Sequence, residues 1–402
     1  MFYKRTLSPV IKNASDTFPA VLVTGPRQVG KTTIFEHNLD DRNYVSLDLP
    51  TARELARRDP ALFFKTYTPP LLIDEVQYAP ELFPYIKILI DSKKKNGLFW
   101  LTGSQMFHLM KDVSESLAGR VAVLNLQGLS QAEKLGKPDL APFLPSFEIR
   151  KDTSKLSLQD VYQLVWQGSY PRLISNENIS WKLFYDSYIS TYIERDVRAV
   201  LNITWEHSFL QFLKVVAART GQLLNYTDMA RDVDVSVNTV KAWVSALETS
   251  GLIFLLYPYS NNLTSRASKT PKLYFFDTGL ACWLTGWDTP IVLKNGAMNG
   301  SMLETYVISE IIKSYWHNGE RANVYFYRSK DKKEIDLIIE HRGVLYPVEI
   351  KRTASPSLKD IKNFEMLRNT GRKIGIGGLI CLIDTILPLK DDIAAIPISY
   401  LS

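Results

Sequence analysis

The sequence predicts an α/β protein, with a parallel sheet flanked by helices at the front, a helical and winged-helix middle, and a small α/β unit at the end. Three observations predict it. An apolar strand runs into a glycine-rich turn across Ala20–Thr33. A second apolar run, Pro70–Ile73, ends on two acids, Asp74 and Glu75. Between Ser301 and Asp384 the periodicity gives helix, three strands, helix, strand. At 402 residues the chain exceeds one compact core. We place the parts at 1–150, 151–290 and 291–402, with the first boundary in the proline- and charge-rich Lys137–Ser157.

The composition, 46% hydrophobic and 22% charged, is that of a folded globular chain. The N-terminus lacks an apolar signal core, and no run approaches ~18 apolar residues, so neither secretion nor a membrane span is expected. Cys282 and Cys381 are far apart and follow no metal-ligand spacing, which points to a reducing, cytoplasmic setting. The net charge of +6 permits an anionic partner.

The first element, "AVLVTGPRQVGKTT", fits G-x-x-x-x-G-K-[ST]. Its turn, Gly25, Pro26, Arg27, Gln28, Val29 and Gly30, leads through Lys31 and Thr32 to Thr33. The glycines let backbone N–H groups turn inward around phosphate oxygens, so ATP is the expected ligand. Lys31 is expected to reach the β- and γ-phosphates and the Thr32 hydroxyl to ligate Mg²⁺. In "PPLLIDEVQ" the buried run delivers Asp74 to the carboxyl end of its strand, where it holds the metal through water. Glu75 beside it is expected to polarise the attacking water. The third strand, in "GLFWLTGSQ", ends near Ser104, a candidate sensor of the γ-phosphate. "SLAGRV" supplies Arg120, a candidate arginine finger acting within the chain or on a second copy in a homo-oligomer.

"GPRQVGKTT", "YVSLDLP", "LLIDEVQ", "LTGSQ" and "SLAGRVAVLNLQGLSQAE" together resemble the AAA-type ATPase module of a large prokaryotic family that carries a C-terminal domain of unassigned role. The resemblance continues through "WQGSYPRL", "YIERDV", "PKLYFFDTGLA" and "MLETYVISEI" to "EIDLII…YPVEIK". It implies ATP binding and no settled substrate. Gly25, Gly30, Lys31, Thr32, Asp74, Glu75, Ser104 and Arg120 fall on the family positions. One departure is Gly128–Ser130, "GLS" where relatives have "PLS".

Leu158–Leu213 is mostly helical by spacing, broken at "WQGSYPRL". Tyr188, Tyr192 and Arg195 share one face, and the resemblance makes Arg195 and Asp196 family positions without a role. Tyr226–Tyr259 reads as a helix-turn-helix followed by a wing. Thr227 and Ser236 are the expected caps, and Val237, Val240, Val244 and Leu247 form the apolar stripe. Asn238, Thr239 and Lys241 are left to face DNA, with Arg266, Lys269 and Lys272 added by the loop Ser260–Lys272.

The end is predicted as a helix over Ser301–Trp316, strands Val324–Arg328, Ile335–Glu340 and Val344–Ile350, a helix over Ser355–Asn369 and a strand Gly378–Asp384. This order resembles the PD-(D/E)XK, restriction-endonuclease-like core. Glu304 lies on an otherwise apolar stripe with Ile308, Ile311 and Tyr315, a costly place for an unpaired acid. Asp336 opens an apolar strand, and Glu349 and Lys351 point to one side of the next. The superfamily pattern then implies that Glu304, Asp336 and Glu349 converge on Mg²⁺ while Lys351 orients a water. The expected function is a Mg²⁺-dependent ATPase acting on or near DNA, with a metal-dependent nuclease unit. The alternative is a nucleotide-dependent docking protein on a silent scaffold.

Overall fold

The computed structural model describes residues 2–39, 41–104, 113, 115–148, 155–191, 206–262, 269–329 and 331–401. Arg195, Asp196 and Tyr192, and the DNA-facing candidate Arg266, lie outside the described residues.

The front unit opens with α1 (Leu7–Thr17) and β1 (Ala20–Thr24), which feeds α2 (Lys31–Glu36) through the glycine turn. Then follow β2 (Asn43–Ser46), α3 (Pro50–Arg58), α4 (Pro60–Thr66), β3 (Leu71–Asp74), α5 (Leu82–Lys93), β4 (Phe99–Gly103), β5 (Val121–Asn125) and the short α6 (Gln131–Lys134). The strands order β2-β3-β4-β1-β5, every neighbouring pair parallel. β1, β3 and β4 are buried along their full length, as their unbroken apolar runs require. All three carry their carboxyl ends to one edge, where the nucleotide motif sits. β4 lies between β1 and β3, and its penultimate residue, Thr102, stands beside the acid pair.

The middle contains α7 (Leu158–Gln167), α8 (Pro171–Ser175), α9 (Trp181–Tyr188) and α10 (Glu206–Ala218). Next come β6 (Gln222–Leu223), α11 (Tyr226–Val233), α12 (Val237–Thr249), β7 (Ile253–Leu256) and β8 (Lys272–Phe275), the three strands ordering β6-β8-β7. Asn225, not Thr227, caps α11, because its side-chain oxygen accepts from the amides of both Thr227 and Asp228. Ser236 caps α12 as expected, and Val240, Val244 and Leu247 are buried with Trp243. α13 (Thr278–Thr285) and α14 (Pro290–Asn295) lead to the end unit.

That unit starts with α15 (Asn299–Trp316), then β9 (Val324–Arg328), β10 (Glu334–His341) and β11 (Val344–Ile350). β12 (Lys373–Ile374), β13 (Gly377–Cys381), β14 (Leu387–Lys390) and β15 (Ile393–Pro397) complete it. The sheet orders β14-β15-β13-β11-β10-β9, with β12 paired beside β11. β9, β10 and β11 are antiparallel and β13 joins β11 in parallel. The helix expected over Ser355–Asn369 is instead a 3₁₀ segment, Lys362–Thr370. Asp360 accepts from the amide and hydroxyl of Ser357, holding the approach as a local turn, and the 3₁₀ segment that follows buries Phe364 and Leu367. β14 and β15 were not foreseen.

One apolar core runs through all three parts, including Val21 and Leu126 of the front, Tyr162, Phe212 and Val244 of the middle, and Leu303 and Ile350 of the end. A second core fills the other face of the parallel sheet. Among the described residues no helix is long and apolar enough to cross a membrane.

Candidate functional site

The glycine turn is built for close approach. Gly25 has φ +146°, and a Cβ there would lie 2.0 Å from the Leu126 carbonyl oxygen, so no other residue fits. Gly30, at φ +94°, hands the chain into α2. Lys31 is buried, and its ammonium donates to the carbonyls of Gly25 (3.0 Å) and Pro26 (2.7 Å), folded against the turn it is expected to leave for phosphate. Burial lowers its pKa to about 8, against the attraction of Glu75 and Asp74.

The Thr32 hydroxyl donates to Asp74 at 3.0 Å, and the Thr102 hydroxyl also donates to Asp74. The two residues expected to share Mg²⁺ are therefore in contact. Burial raises the Asp74 pKa, with the hydrogen bonds from Thr102 and Thr32 opposing it. Glu75 follows in left-handed conformation, φ 55°, a strained state for a non-glycine residue. Its amide donates to Thr102 at 3.0 Å, and its carboxylate accepts from Gln77 and from Ser104 at 3.0 Å. Ser104 thus orients the Glu75 carboxylate.

A cavity of about 730 Å³ opens over the turn. Gln28, Lys31, Thr32 and Glu75 line it together with Pro171 and Arg172 of α8. Phe2 and His37 stack at 3.6 Å at its rim. Arg172 belongs to "WQGSYPRL", which the sequence marks only as a break in the helices. It stands some 140 positions beyond the turn, so no local signal could place it there.

Arg120 does not reach this cavity. It precedes β5, whose Val121 pairs with Ala20 at the start of β1, so it lies at the opposite edge of the sheet from the turn. Four residues of strand make that separation on the order of 13 Å. Its guanidinium pairs with Asp91 at 2.7 Å. In this arrangement Arg120 is held by Asp91 at the edge of the sheet away from the turn.

A buried network, missed from sequence, backs the turn. Arg5 donates to the carbonyls of Val29 and Gln127, each at 2.7 Å, and pairs with Glu133 at 3.0 Å. Glu133 also accepts the amides of Thr6 and Ser130, each at 2.9 Å. His317 lies 3.3 Å from Glu133 and accepts the Gln127 amide at 3.2 Å. Burial alone would raise the Glu133 pKa, but Arg5 and His317 outweigh it and hold it far below the carboxylate range. "SQAE" carried the signal, as a capping box.

The second cluster lies at the end unit. One step beyond the pair Leu337–Val348, Asp336 faces Glu349, and the Ile350 amide donates to Asp336 at 2.9 Å. Lys351 lies 2.7 Å from Glu349 and 3.6 Å from Asp336. Burial and the Asp336 charge raise the Glu349 pKa to about 8. Glu304 has its direct partners on β8. It accepts from Tyr274 at 2.6 Å and from Lys272 at 3.2 Å, and burial raises its pKa.

The expected convergence of three carboxylates is therefore corrected. Among the described residues no three metal-capable side chains come together. Asp336, Glu349 and Lys351 meet, and the ammonium of Lys272 holds Glu304. Lys272 is also corrected as a surface contact for DNA. It opens β8, is buried, and pairs with Glu304 and Glu334.

A family described as "AAA domain" matches residues 17–135. Residues 158–290 and 299–401 match two families described as domains of unknown function, DUF8612 and DUF4143. Uncharacterized protein Rv2008c of Mycobacterium tuberculosis and uncharacterized protein Mb2031c of Mycobacterium bovis are each 29% identical over 363 residues, 88% of this chain and 75% of theirs. Uncharacterized protein MJ1637 of Methanocaldococcus jannaschii is 24% identical over 253 residues, 59% of this chain and 52% of its own. The Walker-type ATPase PABY2304 of Pyrococcus abyssi aligns with 71% of this chain and 96% of its own, at 13% identity and a TM-score of 0.46, a likeness that carries no argument here. The fold and the turn give the front unit the arrangement of a P-loop module. The match over residues 17–135 spans the turn and both acids, so this part of the chain is similar to the AAA domain.

Proposed function

We propose that the protein is a Mg²⁺-dependent ATPase acting on or near DNA. The observation that carries the ATPase reading is the contact of Thr32 with Asp74 directly beside the Lys31 turn. These hard oxygen donors suit Mg²⁺, which Thr32 and Asp74 would hold. The ion would neutralise phosphate charge. Gly25–Thr33 cradle the phosphates, Lys31 turns from its two carbonyls toward them, and Glu75 aligns a water as Ser104 and Gln77 hold its carboxylate.

Glu75→Gln tests this. ATP binding, followed by titration of a fluorescent analogue, is expected to survive, while phosphate release falls by on the order of 10²–10⁴. Equal turnover in both proteins removes Glu75 from its role.

For DNA, the support is the winged-helix order of α10, β6, α11, α12, β7 and β8, which leaves Asn238 and Lys241 exposed at the start of α12. Lys269 is also exposed. With Lys272 buried, this is a small set of phosphate contacts, so binding is expected to be weak and to fall as salt rises from 50 to 200 mM. Duplex titrations across that range check it, and no binding even at the lowest salt favours the docking reading. At the end unit, Asp336 and Glu349 are the pair that would hold a metal in a PD-(D/E)XK-like arrangement, with Lys351 beside them. The capture of Glu304 favours a unit that is silent in this conformation.

A further inference from the structure

We propose that Lys272 is an internal cation that keeps the end-unit carboxylate cluster closed to a divalent metal by holding Glu304 in an ion pair. The inference rests on the reading of Asp336 and Glu349 as metal ligands given above.

The parts come from different units. Glu304 is on α15, Asp336 on β10 and Glu349 on β11, whereas Lys272 arrives on β8 of the middle sheet. Its side chain is 6% exposed, and it bridges Glu304 and Glu334, which in turn lies 3.8 Å from Arg328. Tyr274, also on β8, donates to the same Glu304 oxygen. β8 thus supplies two donors to the acid that the metal pattern needs.

The remainder of the cluster is poised to accept a cation. Glu349 is 4% exposed. Its Oε1 pairs with Lys351, while its buried Oε2 has no hydrogen-bond partner. A buried carboxylate oxygen left unpartnered beside a second carboxylate is the acceptor a hard cation completes.

The middle sheet and the end sheet are joined next to this contact. Tyr259 donates to the Phe326 carbonyl at 2.6 Å, and the Phe326 amide donates to Tyr257 at 3.1 Å.

The probe is Mn²⁺, followed by electron paramagnetic resonance on the full chain without nucleotide, in an Asp74→Asn background that removes the front oxygen site. Lys272→Met is expected to bind Mn²⁺ roughly tenfold or more tightly than the protein with Lys272, and adding Glu349→Gln is expected to abolish the gain. Equal affinity with and without Lys272, lost on Glu349→Gln, overturns the gate and leaves the metal reading standing. No binding in any protein overturns both. Circular dichroism reports folding. If Lys272→Met does not fold, Tyr274→Phe, which removes the other donor to Glu304, takes its place, with tighter binding expected and unchanged binding overturning the proposal.

Discussion

Lys31→Ala is expected to abolish ATP turnover, lowering it by at least on the order of 10²–10³, and to weaken nucleotide binding, the feature that separates it from Glu75→Gln. The lysine is buried with only carbonyls as direct partners, and Glu75 and Asp74 help to keep it charged. The arriving triphosphate replaces those weak partners with formal negative charge in a poorly solvated place, where an ammonium is worth far more than at the surface. The alanine variant leaves the turn itself intact, because its shape depends on Gly25 and Gly30. Phosphate release and a nucleotide titration check the result, and wild-type turnover would contradict it.

The second large effect is on stability. Glu133→Ala is expected to cost about 3–5 kcal/mol, the usual penalty for breaking one side of a buried ion pair. Arg5 and the amides of Thr6 and Ser130 would lose their acceptor inside the protein. The same group gives a pH dependence. The folded pKa of Glu133 lies below its unfolded value near 4.3. Its stabilisation is therefore complete above that unfolded value and is lost as pH falls through the folded one. Urea denaturation at neutral pH and at pH about 4 checks both points. The variant should be weaker at neutral pH, and the gap should narrow in acid. An unchanged midpoint at neutral pH would show that the carboxylate contributes nothing.

The legible parts were those written in adjacent residues. Gly25 to Thr32 specify their turn in eight positions, and Asp74 is delivered by the strand that precedes it. The limits of β9 and β11 follow from alternation and their flanking turns. What the sequence hid depends on separated segments. Arg172 lines the cavity from a segment some 140 positions beyond the turn, and Arg5 supports the turn from before α1. Lys272 looked like one of several loop cations, and only the pairing of β8 with β7 and β6 turns it inward onto Glu304. The apolar stripe around Glu304 was read correctly as demanding compensation. The compensation came from an ammonium and a phenol on another strand, which spacing along α15 cannot show. Arg120 was judged by its neighbours in sequence, whereas the register of β5 against β1 puts it at the wrong edge.

α15 also completes the front unit. Glu310 accepts the Gln131 amide at 2.8 Å, Lys313 donates to the Leu129 carbonyl at 3.2 Å, and His317 accepts the Gln127 amide. These bonds span 179 to 190 positions. Glu304 and His317 stand 13 positions apart, so one stiff rod of ~20 Å carries the rear support of the phosphate cradle and the distant acid captured by β8. The front unit is therefore not a detachable cassette: cut free of the segment that begins with α15, it would leave the amides of Gln127 and Gln131 and the carbonyl of Leu129 bare where the rod had been.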